Sequence, residues 1–257
     1  MRITALSLIA LSAPLADGKA YGMSKALSSG RQSTLVRLTL EDGTEGFGEA
    51  WGMPAVNRAY EALLSGYLVG TSVFEIEHTF GRILARHYHF GVQNQMMAAI
   101  SGIDIAAKDA AGKVLGLPVC QLIGGRRLDR VPIYASGGYL TETPEPDFRP
   151  QIEAMAEARY PAVKIKIGVS PESDLARVRA DVLQPDLTLC GGFWQGRKIA
   201  ELAHASHVRV SPHVWGGAIG LAAALHYIAA LPAYPHSDNV PRPVLLEYDL
   251  GENPLRS

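Results

Sequence analysis

The feature that most constrains the fold is a regular alternation of strand-like and helix-like segments after about residue 125. Short apolar runs alternate there with segments of helical periodicity, which is the pattern of parallel strands joined by helices. The predicted strands are VPIYAS, AVKIKIG, DVLQPD, VRVSPH and VLLEYD, and the predicted helices are 148–158, 171–180, 195–206 and 217–231. Five strands therefore predict a parallel α/β domain over residues 126–257.

Residues 1–125 follow a different pattern, in which antiparallel strands precede helices. Residues 34–40 alternate between two faces, and Asp42-Gly43 supplies a turn, so a β-hairpin is predicted. Residues 2–12 predict a third strand, although an arginine followed by an apolar run also faintly resembles a secretory signal. Three helices with apolar residues at helical spacing complete this α+β domain, over 55–68, 74–87 and 93–114.

The composition narrows the classes of partner and compartment. The chain has 257 residues and a net charge of -1, without a run of like charges, which argues against nucleic acid as a partner. No segment reaches the roughly 18 continuous apolar residues that a membrane span needs. Cys120 and Cys190 lie far apart without metal-type spacing, which indicates two buried thiols in a reducing compartment. We therefore expect a cytoplasmic protein.

Polar side chains lie at the ends of four predicted strands. Lys164 and Lys166 share one face of AVKIKIG because side chains alternate along a strand, and Asp186, His213 and Glu247 end the next three strands. Taken singly, a turn cap, a core histidine and an ion pair with arginine would explain the last three. Two cations on one face of a buried strand are costly without partners. Because ligands bind beyond the carboxyl ends of parallel strands, the set predicts a site there.

These residue types suit proton transfer. A lysine that is crowded by a second ammonium group and partly desolvated loses its proton more easily and can act as a general base. A histidine held by an aspartate is an acid/base group from another direction. Two bases on opposite sides of one carbon suit proton removal next to a carboxylate, followed by reprotonation or loss of a β-hydroxyl. The resulting enediolate carries charge that normally needs a metal.

Several motifs, in this order, resemble the enolase superfamily, in its mandelate racemase/muconate lactonizing enzyme group. They are EDGTEGFGEAW, SGIDIAAKD, VKIKIG, DVLQPDLTLCGG, SPHVWGG and LLEYD. The resemblance implies an α+β capping domain over a (β/α)₈ barrel, a small acid-sugar carboxylate as substrate, Mg²⁺ as cofactor and a homo-oligomer. The activities that it implies are acid-sugar dehydration, racemisation and lactone cycloisomerisation.

The resemblance also implies roles for individual residues. Lys166 would be the base on one face of the substrate α-carbon, with Lys164 beside it near the substrate carboxylate. His213, paired with Asp186, would be the acid/base on the other face, and Glu247 would hydrogen-bond the enediolate. The segment 15–30 is either a solvated connector or a substrate lid. The residues implied to contact the distal part of the substrate are Lys19, Tyr21, Lys25 and Trp51.

The chain departs from the family where the metal ligands should be. The family needs three acidic ligands at the ends of the third, fourth and fifth barrel strands, and no DANxxY, EEP or GE motif lies between Lys166 and Asp186. Three βα units are therefore expected to be missing at about Ala180, either by deletion or because the sequence omits residues. We expect an incomplete barrel of five strands in which no metal ligand can be assigned.

Three functions stay open from the sequence. The first is a lyase or isomerase that abstracts an α-proton through an enediolate, and the second is a metal-free inactive pseudoenzyme or relic of the family. A Schiff-base lyase with Lys164 or Lys166 as nucleophile is the third, but it leaves Asp186 and His213 without roles.

Overall fold

A computed structural model gives the fold of the chain. It describes residues 1–16, 21–23, 26–90, 94–137, 150, 153–164, 182–205, 209–231, 244–251 and 253–256. An antiparallel sheet with helices on one side occupies the N-terminal half, and parallel strands with helices occupy the C-terminal half. This arrangement confirms the predicted fold class, an α+β capping domain followed by an incomplete barrel. The domain boundary near residue 125 stays a prediction.

The sheet of the capping domain is formed by β1 (Ile3–Pro14), β4 (Gly30–Leu40) and β5 (Glu45–Ala50). The strand order is β1-β4-β5, and both pairs are antiparallel, so the predicted hairpin and third strand are confirmed. Alternate residues such as Val36 and Leu38 are fully buried because side chains along a strand point to opposite faces.

The helices of the capping domain pack on the buried face of this sheet or on one another. They are α1 (Pro54–Ala59), α2 (Glu61–Leu68), α3 (Ile76–Arg86), α4 (Gln95–Leu115) and α5 (Val119–Ile123). The predicted helix 55–68 is thus two helices, which meet at Tyr60, and the helix predicted over 74–87 begins with the 3₁₀ turn Val73–Glu75. In α4 the side chain of Asn94 caps the first turn by accepting a hydrogen bond from Met97 N.

The segment 15–30 differs in part from the prediction of a loop. It contains a short antiparallel hairpin of β2 (Tyr21–Met23) and β3 (Ala26–Ser28), in which Tyr21 pairs with Ser28. Strands of three residues are too short to show alternation in a sequence rich in glycine and serine, so the pattern did not reveal them. Residues 17–20 and 24–25 lie outside the described residues.

Among the described residues, the barrel part contains two parallel sheets and two long helices. The first sheet has the order β10-β6-β7, with β6 (Ile133–Ser136), β7 (Val163–Lys164) and β10 (Leu246–Asp249). The second pairs β8 (Val182–Leu183) with β9 (Arg209–Val210). The helices α6 (Gly192–Ala205) and α7 (Ala218–Ala230) follow β8 and β9. These five strands are the predicted ones, and the helix predicted over 171–180 lies outside the described residues.

Two apolar clusters form the core of the described chain. One lies between the sheet and helices of the capping domain, and the other lies among α5, α6, α7 and the barrel strands. Phe80 of the first cluster is fully buried, and its ring lies 5.7 Å from that of Trp194 on α6, so the capping domain packs directly on the barrel part. In the part of the chain that the structure describes, no helix is both long and apolar enough to cross a membrane.

Candidate active site

Asp186 and His213 follow the carboxyl ends of the adjacent strands β8 and β9, and their side chains touch. His213 Nδ1 lies 3.1 Å from Asp186 Oδ2. The other carboxylate oxygen, Oδ1, accepts hydrogen bonds from Thr188 N at 2.9 Å and from Thr188 Oγ1 at 2.6 Å. Asp186 therefore caps its turn and also orients the imidazole, so its two interpretations from the sequence are compatible.

Lys164 and Glu247 form a second pair, on the strands that flank β6. Lys164 Nζ donates to Glu247 Oε1 at 2.8 Å, and Ser136 Oγ donates to the same oxygen at 2.8 Å. The other oxygen, Glu247 Oε2, accepts a hydrogen bond from Val214 N at 3.4 Å. Because Val214 directly follows His213, this contact brings the two pairs side by side.

The charge state of Glu247 follows from these partners. Burial raises the pKa of its carboxyl, but the charges of His213 and Lys164 and the hydrogen bonds from Lys164 and Ser136 outweigh burial and lower the pKa below its ordinary value. Glu247 is therefore ionised at neutral pH. Burial and the neighbouring Glu247 charge raise the pKa of Tyr134, which therefore stays a neutral phenol and accepts a hydrogen bond from Gln184 Nε2 at 3.0 Å.

Of the remaining predicted site residues, some lie within the described part of the chain and others do not. Lys166, Lys19 and Lys25 lie outside the described residues, and Tyr21 lies in β2. Trp51 directly follows β5, and 45% of its surface is exposed. The roles of these residues stay predictions from the family resemblance.

Two neighbours of the site were not predicted from the sequence. Ser136 is the last residue of β6, so the strand-end argument would have found it had it been applied to VPIYAS. Tyr134 lies inside the same strand, and nothing in its sequence context distinguishes it from a core aromatic residue.

Two cavities with volumes of about 830 Å³ and 760 Å³ lie near this site, but His213, Lys164 and Glu247 do not line either of them. The larger is lined by Arg31, Glu49, Trp51 and Trp215 among others, and the Trp215 ring lies 6.0 Å from that of His213. The smaller is lined by Trp51, Gln184 and Asp186 among others. Each has the volume of a small-molecule site.

The described residues do not fit a Mg²⁺ ion. Within them, no three His, Cys, Asp or Glu side chains converge as a possible metal site. Both oxygens of Asp186 and both of Glu247 already accept hydrogen bonds or contact a cationic side chain. Mg²⁺ prefers near-octahedral oxygen ligands, and two carboxylates engaged in this way are a poor start. No step proposed below uses a metal.

Two family models match the chain. The model described as the mandelate racemase/muconate lactonizing enzyme N-terminal domain matches residues 17–124, and the enolase C-terminal domain-like model matches residues 179–257. The second match begins where the sequence suggested missing βα units.

Relatives and solved structures agree with the models. D-galactarolactone cycloisomerase of Agrobacterium fabrum is 29% identical over 312 residues, which cover 88% of this chain and 82% of that protein. D-xylonate dehydratase of Haloferax volcanii is 30% identical over 156 residues, which cover 60% of this chain and 37% of that protein. The crystal structure of the 3,6-anhydro-D-galactonate cycloisomerase from Zobellia galactanivorans has a TM-score of 0.81 at 24% identity, covering 100% of this chain and 89% of that chain.

The cycloisomerase alignment also contains positions that have no counterpart in this chain. Since 88% of 257 residues is about 226, about 86 of the 312 aligned positions have no residue of this chain. A (β/α)₈ barrel of ~250 residues has roughly 31 residues per unit, so these positions together amount to about three units. Together, the two matching domain models, the relatives and the fold show that the chain belongs to the mandelate racemase/muconate lactonizing enzyme group of the enolase superfamily.

Proposed function

We propose that the chain is a lyase or isomerase that abstracts the α-proton of an acid-sugar carboxylate, with His213 as the acid/base group. The observation that carries this proposal is the contact between His213 Nδ1 and Asp186 Oδ2 at the carboxyl ends of two parallel strands. The names of the relatives, a D-galactarolactone cycloisomerase and a D-xylonate dehydratase, support the substrate class. Assembly as a homo-oligomer and a cytoplasmic location are part of the same proposal.

The Asp186–His213 pair has the arrangement that a general base needs. When Nδ1 carries the ring proton, it donates a hydrogen bond to Asp186. The lone pair of the neutral ring then lies on Nε2, which can take a proton from substrate. The carboxylate then stabilises the imidazolium that forms. Because Thr188 holds the other oxygen of Asp186, the carboxylate keeps its orientation during the transfer.

In this proposal Lys164 keeps the role that the resemblance implies, beside the substrate carboxylate, whereas Glu247 has a different one. The ammonium group of Lys164 is 2.8 Å from a buried carboxylate, so it attracts the substrate carboxylate as a cation and does not serve as a base. An ionised Glu247 accepts hydrogen bonds but cannot donate one to an enediolate. It therefore holds Lys164 and the backbone beside His213 in place. A base on the opposite face of the α-carbon would be Lys166, as the resemblance implies.

An inactive relic of the family is the second candidate. It is favoured by the roughly 86 aligned positions of the cycloisomerase that have no residue in this chain, and by the lack of a three-carboxylate cluster in the described ranges. Without such a cluster, the charge of an enediolate would have to be stabilised by hydrogen bonds and by cations such as Lys164.

Solvent exchange separates the two candidates. Purified chain, with its mass checked against 27.6 kDa, is incubated in D₂O with a panel of acid-sugar carboxylates, with and without Mg²⁺, and loss of the α-proton signal is followed by NMR. The first candidate predicts exchange that His213→Asn abolishes from one stereochemical face. His78→Asn, an exposed histidine on α3, serves as the control and keeps the activity. Absence of exchange from every substrate would instead support the relic.

A further inference from the structure

We propose that the capping domain positions the Asp186–His213 pair through two buried carboxylates, Glu49 and Asp104. Each carboxylate binds the N-terminus of the helix that follows one member of the pair. The importance of the pair for catalysis rests on the proposed function, whereas its positioning does not. Glu49 and Asp104 would thus be positioning residues, since they reach the pair only through the barrel helices and loops.

Glu49 holds the start of α7. It lies at the end of β5 with 4% of its surface exposed. Its Oε1 accepts hydrogen bonds from Gly217 N at 2.5 Å and from Ser33 Oγ at 2.6 Å, and its Oε2 accepts one from Gly220 N at 2.8 Å. A carboxylate at this position satisfies backbone donors that have no partner within the helix, and it interacts favourably with the helix dipole.

The glycines of α7 make room for this carboxylate. A Cβ atom added to Gly216 would lie 2.7 Å from Glu49 Oε1, and one added to Gly220 would lie 3.1 Å from Glu49 Oε2. The first glycine of the SPHVWGG motif is therefore explained by close approach of a side chain from the other domain, whereas a Cβ atom at the second, Gly217, would lie 2.9 Å from Leu255 O and 3.3 Å from Glu49 Oε1.

Only three residues separate His213 from Gly217, and they are held from the other side. Val214 N donates to Glu247 Oε2 at 3.4 Å, and Val214 O accepts a hydrogen bond from Arg256 at 3.0 Å. Gly216 O accepts another from Arg256 Nε at 3.0 Å. A segment this short and this well bonded cannot absorb a shift of Gly217, so such a shift moves His213.

Asp104 acts in the same way on the loop after Asp186. It is fully buried in α4, and its Oδ2 accepts a hydrogen bond from Trp194 N, in the first turn of α6, at 3.2 Å. Gly192, with φ +66°, opens this turn, and a Cβ atom there would lie 2.5 Å from Asp104 Oδ2. A side chain at Gly192 would therefore collide with the carboxylate.

Two further groups of the capping domain hold the same loop. Ser101 Oγ accepts a hydrogen bond from Gly191 N at 2.7 Å, and Trp51 N donates one to Thr188 O at 3.0 Å. Thr188 is the residue that fixes the carboxylate of Asp186. The capping domain is thus bonded to the loop that bears Asp186 as well as to the helix that follows it.

The described strands of the barrel part fall into two separate sheets. Among the strands that the structure describes, β8 and β9 share no ladder of backbone hydrogen bonds with β10, β6 and β7. Within the described residues, strand pairing therefore does not fix how one sheet lies on the other, whereas in a closed barrel it would. Contacts with the capping domain supply constraints that the incomplete barrel lacks.

The test reads the geometry of the pair directly. In protein labelled with ¹⁵N-histidine, the proton between His213 Nδ1 and Asp186 should give a downfield resonance, assigned by its loss in His213→Gln. We expect Glu49→Gln to weaken or remove this resonance, because an amide nitrogen would face the N–H of Gly217 or Gly220. The matched control is Glu61→Gln, which alters a carboxylate that accepts a hydrogen bond from Leu8 N at 2.7 Å within the capping domain. This control should leave the resonance unchanged.

A second variant protects the test against misfolding. Asp104→Leu places an apolar side chain in a buried position and removes the acceptor for Trp194 N, so it too should weaken the resonance, with folding checked by circular dichroism. If both variants fold and retain the wild-type resonance, the positioning inference is wrong. The resonance is measured without substrate, so a wild-type protein that shows it without exchanging α-protons refutes only the proposed function. Where exchange occurs, Glu49→Gln should lower kcat about 10-fold or more at unchanged KM.

Discussion

Replacing Asp104 by asparagine should stabilise the protein at high pH, although the change removes a charged group that makes a hydrogen bond. Asp104 is fully buried, and its Oδ1 has no hydrogen-bond partner among the described residues. Lys108 Nζ lies 3.9 Å from this oxygen, at the outer limit of an ion pair. Burial raises the pKa of the Asp104 carboxyl from 3.8 to about 6, and neither Lys108 nor the backbone N–H groups of α6 compensate for it.

The magnitude follows from linkage between protonation and folding. Because the pKa of Asp104 is higher in the folded state than in the unfolded chain, the folded state binds the proton more tightly. The stabilisation is complete below pH 3.8 and is lost as the pH rises to about 6. A difference of roughly two pKa units corresponds to about 3 kcal/mol in the free energy of unfolding. Asparagine mimics the protonated carboxyl and still offers an oxygen to Trp194 N.

The assay is urea unfolding of wild type and Asp104→Asn between pH 4 and pH 8. The variant should equal wild type near pH 4 and exceed it at pH 8 by up to about 3 kcal/mol, which is roughly 6–12 °C in Tm for a chain of this size. Differences between the two proteins isolate Asp104, because all other carboxyls titrate in both.

Asp109→Asn, five residues further along α4, is the control. Its Oδ2 accepts hydrogen bonds from Phe47 N at 2.8 Å and Lys113 Nζ at 2.7 Å, so its replacement should lower stability at pH 8. An Asp104→Asn protein that was no more stable than wild type at pH 8, with the same dependence on pH, would refute the reasoning.

Three further predictions concern the site. Calorimetry should show weak or no Mg²⁺ binding to the 257-residue chain, because Asp186 and Glu247 make a poor Mg²⁺ site. Tight one-to-one binding would contradict this reasoning. Glu247→Gln should cost about 3 kcal/mol of unfolding free energy at pH 7, because it leaves Lys164 without its carboxylate. This difference should shrink in acid, as the pH falls through the lowered pKa of Glu247, and a pH-independent difference would exclude the ion pair as its cause. Asp186→Asn should slow α-proton exchange less than His213→Asn, since it disturbs the imidazole without removing it, and equal loss in both would argue against that division of roles.

The fold and the strand-end residues could be predicted because they depend on local patterns. The alternation of apolar runs with helical segments predicted the number of strands. The polar residue at the end of each run was then a candidate for the site. That is why Asp186, His213 and Glu247 could be placed at strand ends without a structure. Lys164 was found by the same argument, but its partner could not be, because 83 residues separate it from Glu247 along the chain.

The two positioning carboxylates were not found, although both lie in motifs that the sequence made conspicuous. Glu49 stands in GFGEA, and Asp104 lies between two isoleucines in SGIDIAAKD. Such a residue predicts a buried partner but does not say which, because the partners are backbone N–H groups on helices far along the chain. Single-residue patterns cannot identify those donors, and only the packing of α4 and β5 on the barrel part reveals them.

Buried charges recur where the capping domain meets the barrel part, and this recurrence favours a geometric role for them. Besides Glu49 and Asp104, Arg31 on β4 pairs with Asp249 on β10 at 3.1 Å, and both side chains are almost fully buried. Apolar residues of similar volume would commonly give equal or greater stability in such positions, so stability alone does not explain the charges. Hydrogen bonds from a carboxylate to a helix N-terminus have a fixed direction, so they allow only one docking of the two parts. An incomplete barrel, which cannot use closure to align its strand ends, gains most from such contacts. The retained charges are therefore best explained as devices that hold Asp186 and His213 in register with Lys164 and Glu247.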